Sequence, residues 1–408
     1  MAGDSDSTKG RHMRVSVFAA LAAATLLAAG ATPPRAVHAT PYRPPTTIPQ
    51  VASLTDGVWL KGDLHIHSRH SRDSSNNPVR KILALADHAG MDYLLISDHD
   101  NHVNGDVAHN TWVDPEYRSN RMLLLYGAEW TTHRGHATII SAVPYDHQAL
   151  YDIADDRDTV IAALKRKLGV HLSANHPGTH DAFAFSYDFV DSVEAWNSSV
   201  WATNAINMHI WDDMLKSGRK MTGRGGSDSH HGVPDTPDQA TPLTYEAYIN
   251  NVGTPTTWVF AKARTRHAVV DALTNGRVSI SANPYDPRVE FTADLDDDGH
   301  PDMMQGDNAK PTGKPVAFHV ALVGRMDRAA AYSVDVIKDG EKFTTVSLTG
   351  AHPEAVFTDT PITTARTYYR VEVHGPQTPY PEVPGSTKLS GDMIALSNAI
   401  CFNFDPQF

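Results

Sequence analysis

The stretch VWLKGDLHIHSRHSRD (58–73) combines a strand signal with several groups that can bind metal. Its first part is an apolar run that is typical of a buried strand. His65 and His67 lie two residues apart, so in a strand both side chains point to one face, while Leu64 and Ile66 take the other. Two imidazoles at this spacing can hold one metal ion, and the stretch therefore predicts one edge of a metal site.

Strand and helix signals alternate along the chain that follows this stretch. Further strand runs are DYLLIS (92–97), MLLLYGAEW (122–130), HATIISAV (136–143), VHLSAN (170–175), SVEAWN (192–197) and MTGRGGSD (221–228). Helical patterns are NPVRKILALADHAG (77–90), TVIAALKRKLG (159–169) and residues 203–217, and a strand, a helix and a short strand follow in 256–283. Repeated strand–helix units predict an α/β fold with a parallel sheet, and their number favours a closed barrel over residues 58–285.

Nine residues in this series can act as metal ligands, and most of them follow a strand run. They are His65, His67, Asp73, His99, Glu129, His136, His176, Asp228 and His230. Functional groups in such barrels gather at the C-terminal ends of the strands, so we expect these side chains to meet. Imidazoles and carboxylates without thiolates suit Zn, Mn or Fe and argue against a structural zinc site. The two carboxylate oxygens of Glu129 could bridge two ions.

The order of these ligands resembles that of the polymerase-and-histidinol-phosphatase (PHP) family over about residues 58–283. The order is His-x-His, Asp, His, Glu, His, His and finally Asp-x-His. Segment 252–281, which begins VGTPTTWVFAKA, and the phrase LSNAI (396–400) are similar to one branch of that family. The branch comprises exported or stand-alone metallohydrolases and includes carbamate-hydrolysing enzymes.

The resemblance implies a distorted (β/α)7 barrel of the PHP type and about two to three divalent transition-metal ions, which would be Zn, Mn or Fe. It assigns the first ion to His65, His67, Glu129 and Asp228, the second to Glu129, His136 and His176, and the third to Asp73, His99 and His230. His133 also follows Glu129 closely, but His136 is preferred because it begins a strand.

Residues next to the ligands are candidates for further roles. Glu129 would hold the nucleophile, and His99 or His230 could assist protonation of the leaving group. Three arginines, Arg72, Arg134 and Arg224, could bind an anionic oxygen of the substrate or could be solvated surface residues. Four polar residues could orient imidazoles or could pair at strand ends: Asp63, Asp98, Asn175 and Glu194. Four tryptophans could wall an apolar pocket, although core packing is favoured: Trp130, Trp196, Trp201 and Trp211.

Residues 286–408 change in character after Pro284 and become rich in β signals. They predict a small antiparallel β-sandwich-like domain, with KDGE (338–341) as a tight turn. The segment DLDDDGHPD (294–302) resembles a calcium loop without the distal Glu of an EF-hand. Its possible calcium ligands are Asp294, Asp296, Asp298 and Asp302, and the alternative is a solvated acidic turn.

The N-terminus is typical of an export signal. Arg14 precedes the apolar run VSVFAALAAATLLAAGA (15–31), and AVHA (36–39) offers a cleavage site near Ala39. We therefore expect a signal peptide over 1–39, a Pro-rich linker over 40–57 and an extracytoplasmic (periplasmic or secreted) mature protein without stable membrane insertion. An uncleaved anchor is the alternative. The net charge of −12 argues against nucleic acid as a partner.

These observations favour an exported metal-dependent hydrolase that acts on a small, anionic ester. A phosphoesterase that uses a metal-activated hydroxide is preferred, because phosphoryl transfer spreads negative charge over several oxygens that several ions can neutralise. A carbamate or carboxylic ester hydrolase with the same metal site is the first alternative. A non-catalytic metal- or glycan-binding protein is the alternative from a different class.

Overall fold

The computed structural model describes residues 56–74, 77–101, 107–179, 183–198, 201–230, 251–382 and 392–405. The predicted signal peptide (1–39) and residues 40–55 of the predicted linker lie outside these ranges. All described residues belong to one compact unit. No helix in the described ranges has the length and apolar character needed to cross a membrane.

The described part of the chain contains six α-helices and twenty strands. The helices are α1 (Val79–His88), α2 (Val107–Val113), α3 (His147–Tyr151), α4 (Asp158–Leu168), α5 (Trp201–Ser217) and α6 (Arg266–Thr274). The first ten strands are β1 (Val58–Asp63), β2 (Tyr93–Leu94), β3 (Leu123–Leu124), β4 (Tyr126–Thr132), β5 (Gly135–Ser141), β6 (His171–Ala174), β7 (Ser192–Asn197), β8 (Thr222–Gly226), β9 (Thr256–Ala261) and β10 (Val278–Ser281). The remaining strands are β11 (Arg288–Asp294), β12 (Met303–Met304), β13 (Asn308–Ala309), β14 (Val316–Val323), β15 (Ala331–Lys338), β16 (Glu341–Thr349), β17 (Glu354–Asp359), β18 (Thr367–His374), β19 (Met393–Ser397) and β20 (Ile400–Phe402).

Helix α1 shows why the helical patterns fold as they do. Its apolar residues recur every three or four positions, and Val79, Ile82, Leu83 and Ala86 are all buried. Burial of each large aliphatic side chain contributes about 1.5–3 kcal/mol, which outweighs the weak propensity of a ten-residue helix. The helix is followed by Gly90, whose φ of 71° suits a residue without a side chain.

The strands that carry the site belong to two sheets. One sheet has the order β4-β5-β6-β7-β8, and the other contains β9-β1-β2-β3 within a longer array. A single residue separates β3 from β4, and isolated bridges join His99 to Glu129 and Ile66 to Ser229 across the sheet boundaries. These bridges bring the ends of β1, β2, β4 and β8 together.

The predicted parallel sheet is only partly present. Strands β1, β2 and β3 are parallel, as are β6, β7 and β8, but β4, β5 and β6 pair antiparallel. Only His133 and Arg134 link β4 to β5. A link of two residues can join antiparallel strands in a hairpin but is too short for the crossover that parallel strands need. The architecture is mixed α/β with several sheets and few helices, and the (β/α)7 barrel is not confirmed.

The C-terminal strands form two layers with an apolar core of their own. Strands β12, β11, β14 and β17 make a four-stranded antiparallel sheet, and β15, β16, β18 and β19 pair antiparallel in the longer array. Phe291 and Phe318 of the first layer and Val334 and Val371 of the second share one core. The predicted turn at 338–341 joins β15 to β16, with Asp339 and Gly340 at positive φ.

The C-terminal segment also completes the longer sheet of the first part. Strand β19 pairs with β10, so the array runs from β3 into the C-terminal strands without a break. The Asn398 side chain binds both the N–H and the C=O of Gly223 in β8, at 2.8 and 2.7 Å. The predicted division at residues 285 and 286 stays a prediction.

Candidate metal centre

The nine predicted ligands lie together at one end of the strands. Their ligand atoms form four groups with all atoms within 4.8 Å of one another: His65, His67 and Asp228; His65, Glu129 and His176; His99, Glu129 and His136; and His67, His99 and His230. Three imidazoles and one carboxylate belong to two groups each, so the groups merge into one continuous cluster. The ninth residue, Asp73, joins the cluster through His99.

Glu129 occupies the middle of this cluster. It lies in β4, where Trp130 points into the apolar core and the alternation of the strand turns Glu129 the other way. The carboxylate is fully buried, and its oxygens lie 2.9–3.4 Å from ring nitrogens of five histidines: His65, His67, His99, His136 and His176. A carboxylate in this position can serve two ions at once.

Asp228 faces the His-x-His pair from the end of β8. Its Oδ1 lies 3.3 Å from His65 Nε2 and 3.1 Å from His67 Nε2. Asp228 has a φ of 54° and His176 a φ of 25°, a backbone region that costs side-chain-bearing residues about 1–3 kcal/mol. Such strain is typical of functional sites, because the surrounding structure must hold the residue in place.

Asp73 forms the exposed rim of the cluster. Its Oδ2 lies 3.4 Å from His99 Nε2 and 3.5 Å from His230 Nε2. The Asp73 side chain is 42% exposed and that of His230 17%, whereas Glu129 is fully buried. A substrate would therefore meet Asp73 and His230 before the deeper ligands.

The electrostatics of the cluster keep its carboxylates ionised. Burial raises the pKa of Glu129, but the charges of His99 and His65 oppose it and hold that pKa well below its usual value. Burial also raises the pKa of Asp228, but the neighbouring histidines outweigh this effect and hold the pKa of Asp228 well below its ordinary value. For His99 burial lowers the pKa, but Glu129 and Asp73 outweigh it and raise the pKa to about 10. The site thus stabilises positive charge among its imidazoles.

Two buried atoms indicate that the cluster fits a cation. His65 Nδ1 lies 2.9 Å from Glu194 Oε1, so the proton of a neutral ring belongs on Nδ1 and the Nε2 lone pair points to Glu129 and Asp228. His65 Nε2 and Glu129 Oε2 are both buried, and neither makes a hydrogen bond of good geometry, although His99 Nδ1 lies 2.9 Å from Glu129 Oε2. Buried nitrogen and oxygen atoms that converge without such hydrogen bonds fit a bound metal ion. The cluster of histidine and glutamate ligands fits a PHP domain.

Three of the four predicted orienting residues contact ligand side chains or their loops. Glu194 binds His65, and Asn175 Nδ2 donates to Glu129 Oε1 at 2.8 Å. Asp98 accepts hydrogen bonds from Ser68 and Ser71, which fixes the loop after His67. The fourth, Asp63, binds backbone N–H groups of His65, Ser227 and Gly253 instead of an imidazole.

Two of the three arginines that were predicted to bind substrate have partners within the protein. Arg224 is fully buried and hydrogen-bonded to protein groups only among its described contacts, so its position argues against contact with a substrate. Arg134 pairs with Asp158 at 2.5 Å and stacks on Phe185, so its guanidinium already has partners within the protein. Arg72 is exposed next to Asp73, and its role in substrate binding stays a prediction.

The structure also bears on the choice between His133 and His136 and on the acidic loop at residues 294–302. The His133 side chain is 72% exposed and lies near Asp155, whereas His136 contacts Glu129, so His136 is the residue in the cluster. In the acidic loop the carboxylates of Asp294, Asp296 and Asp302 come together, but that of Asp298 does not join this group and binds the His300 N–H. Calcium at this loop stays a prediction.

Several polar residues of the site carried no clear signal in the sequence. Thr131 Oγ1 lies 2.7 Å from His99 Nδ1, and Thr179 Oγ1 lies 3.2 Å from His176 Nδ1. Asn197 Nδ2 donates to Glu194 at 3.0 Å and to Asp228 at 3.3 Å. Strand alternation could have suggested Thr131, which lies two residues after Glu129 on the same face.

Comparison with known proteins adds one structural likeness. No protein-family model matches the chain, and no curated protein matches it. The chain is similar to a crystal structure of a two-domain protein from Bacteroides vulgatus, described as containing a predicted PHP-like metal-dependent phosphoesterase. The match has a TM-score of 0.40 and 16% identity and covers 88% of this chain and 99% of that chain. A likeness at this level carries no argument about function, and the function proposed below rests on the side-chain geometry of the cluster.

Proposed function

We propose that this protein is a metal-dependent hydrolase and that its substrates are phosphate esters. The observation that carries the proposal is the buried Glu129 carboxylate among ring nitrogens of five histidines, with further carboxylates at the rim. Buried carboxylates and imidazoles of this density are costly unless they neutralise a cation. We favour Zn, Mn or Fe, because the donors are nitrogen and oxygen without thiolate.

When bound, divalent ions would supply an activated water and would neutralise the oxygens of the reacting group. The chain's own part is to hold the donors rigidly and to admit the substrate from one side. Glu129, His65 and His67 are fully buried and form the floor. His230 and Asp73 are partly exposed at the rim, so His230, in a state in which it is free of metal, is placed to pass a proton to a leaving oxygen.

Phosphate esters are favoured over aryl carbamates by two features. A phosphoryl group carries several charged oxygens and uses the full extent of the cluster, whereas a carbonyl group develops one oxyanion. An aryl carbamate also needs aromatic walls, but Trp130, Trp196 and Trp211 are buried in the core. The Trp201 side chain lies outside the described residues.

The proposal also covers the fold around the site and the location of the protein. We propose that the seven-stranded barrel exists in distorted form, with β3 and β4 as one strand and the bridges at His99 and Ile66 as its closing contacts. We also propose that the protein is exported through residues 1–39 and acts outside the cytoplasm, as a small-molecule enzyme without a nucleic-acid partner.

A substrate panel tests the function. Metal-reconstituted protein should hydrolyse nitrophenyl phosphate mono-, di- or triesters, and chelator treatment should abolish the rate until Mn²⁺ or Zn²⁺ is returned. Aryl carbamates and carboxylic esters belong in the same panel under the same conditions. Rapid cleavage of carbamates together with refusal of every phosphate ester would replace the phosphoesterase with the alternative hydrolase. Refusal of all substrates by metal-loaded protein would favour a binding protein.

A further inference from the structure

The guanidinium of Arg224 lies beneath the metal ligands and is fully buried. Its five N–H donors meet five acceptors. Nε donates to Ser173 Oγ at 2.6 Å, Nη1 to Glu194 Oε1 at 2.9 Å and to Gly225 O at 3.2 Å, and Nη2 to Asn175 Oδ1 at 2.6 Å and to Thr138 Oγ1 at 3.2 Å. Every donor of the group is thus used within the protein, and two of the acceptors themselves bind metal ligands.

The first of these two contacts leads to His65. Glu194 Oε1 accepts from both Arg224 Nη1 and His65 Nδ1, each at 2.9 Å. The hydrogen bond to Nδ1 fixes the tautomer of the imidazole and directs Nε2 toward Glu129 and Asp228. Since Glu194 is fully buried, its charge needs a partner, and Arg224 is the cation that pairs with it at 2.9 Å.

The second contact leads to Glu129. Asn175 Oδ1 accepts from Arg224 Nη2, and therefore the amide turns its Nδ2 to the other side, where it donates to Glu129 Oε1 at 2.8 Å. The Thr138 N–H also donates to Asn175 Oδ1, at 3.1 Å, which favours the same orientation. Arg224, by the shorter of these two contacts, thereby helps to determine which end of the Asn175 amide the Glu129 carboxylate meets.

We propose that Arg224 is a positioning residue that orients the metal ligands His65 and Glu129 from beneath, through Glu194 and Asn175. This role rests on the proposed metal centre. It replaces the role in substrate binding that the sequence suggested for the same residue. A point charge alone would not suffice, because a planar fork is needed to reach Glu194, Asn175 and Ser173 at the same time.

The test compares two buried arginines. Arg224→Met removes the fork and keeps an unbranched stem that reaches about as far as the arginine Nε. Arg370→Met is the matched control, because Arg370 is 2% exposed and binds Asp212 through two nitrogens at 2.9 and 2.6 Å, in a pair that includes no metal ligand. Equilibrium dialysis of the full mature chain against Mn²⁺, followed by elemental analysis, gives the affinity, and thermal unfolding without metal gives the loss of stability.

Arg224→Met should weaken Mn²⁺ binding by about 10- to 100-fold, as expected for loss of a group that orients ligands. Arg370→Met should lower the melting temperature to a similar extent but keep the wild-type affinity. Wild-type Mn²⁺ affinity in Arg224→Met would overturn the proposal. Equal weakening in both variants would also overturn it, because the effect would then follow from stability alone.

If Arg224→Met does not fold, the variant Arg224→Lys tests the positioning role of Arg224. A lysine at this position can pair with Glu194 but cannot at the same time donate to Asn175. The Mn²⁺ affinity of Arg224→Lys should therefore be about tenfold weaker than that of the wild type, at the lower end of the range expected for Arg224→Met. Unchanged affinity in Arg224→Lys would refute the positioning role. Wild-type protein that binds Mn²⁺ but hydrolyses no phosphate ester would refute the proposed function, and the affinity comparison would still decide the role of Arg224.

Discussion

Replacement of Glu129 by glutamine should remove most of the stabilisation that metal ions give to the fold. Glutamine has nearly the same shape as glutamate, so the core around β4 is preserved. The change removes the negative charge that lies between ring nitrogens of five histidines at 2.9–3.4 Å. Two of the four ligand groups contain Glu129, so the variant loses a ligand from both at once.

The magnitude follows from linkage between binding and folding. An ion at about 100 times its dissociation constant stabilises the protein by about 2.7 kcal/mol, so two ions contribute about 5 kcal/mol. For a unit of this size each kcal/mol raises the melting temperature by about 2 °C, which gives a rise of about 10 °C in the wild type. In Glu129→Gln the metal-dependent rise should be less than about half of that.

The assay is thermal unfolding of the mature chain with Mn²⁺ and after chelator treatment. Only the difference between the two melting temperatures is compared, so any effect of the substitution on the metal-free protein cancels. Glu372→Gln is the control, because Glu372 pairs with Arg370 in β18 and contacts no predicted ligand among its described partners. The reasoning would be refuted if Glu129→Gln showed the full wild-type rise.

Three other predictions concern separate parts of the molecule. Burial raises the pKa of Asp286 to about 7, so the stability that this carboxyl group contributes should be lost as pH rises from about 4 to about 7. The advantage of Asp286→Asn over the wild type in urea unfolding should therefore grow by about 2–3 kcal/mol from pH 5 to pH 8, and a constant difference would contradict this. Arg72→Ala should raise KM for a phosphate monoester about three- to tenfold with unchanged metal content, and an unchanged KM would remove Arg72 from substrate binding. Secreted material should begin near Thr40 on N-terminal sequencing, and full-length chain found only in the cytosol would argue against export.

The clustering of the nine candidate ligands was predictable because the sequence places them in strong local patterns. His65 and His67 share one face of a strand by simple alternation, and Asp228 and His230 repeat the spacing. Each pair follows a run with a strand signal, so the ends of those runs meet wherever the strands pack side by side. The structure brings all nine residues to one place.

The hairpin of β4 and β5 and the position of Arg224 could not be predicted in the same way. His133 and Arg134 carry no strong turn signal, so the run after Glu129 suggested a separate parallel strand. Arg224 stands in the glycine-rich strand TGRGG (222–226), and a Cβ at Gly226 would lie 2.1 Å from Glu194 Oε1 and 2.8 Å from Arg224 Nη1. The glycines make room for a buried arginine, but sequence alone does not tell which neighbours fill that room.

Metal content tests the account most directly. Mature protein purified gently without chelators should contain about two to three transition-metal ions per chain by elemental analysis, the number that the family resemblance and the count of candidate ligands lead us to expect. The same analysis should show a clear loss of metal in Asp228→Ala, which removes the carboxylate that faces His65 and His67. Wild-type protein that is folded but contains no transition metal, even after incubation with Mn²⁺ or Zn²⁺, would contradict the assignment of this cluster as a metal centre.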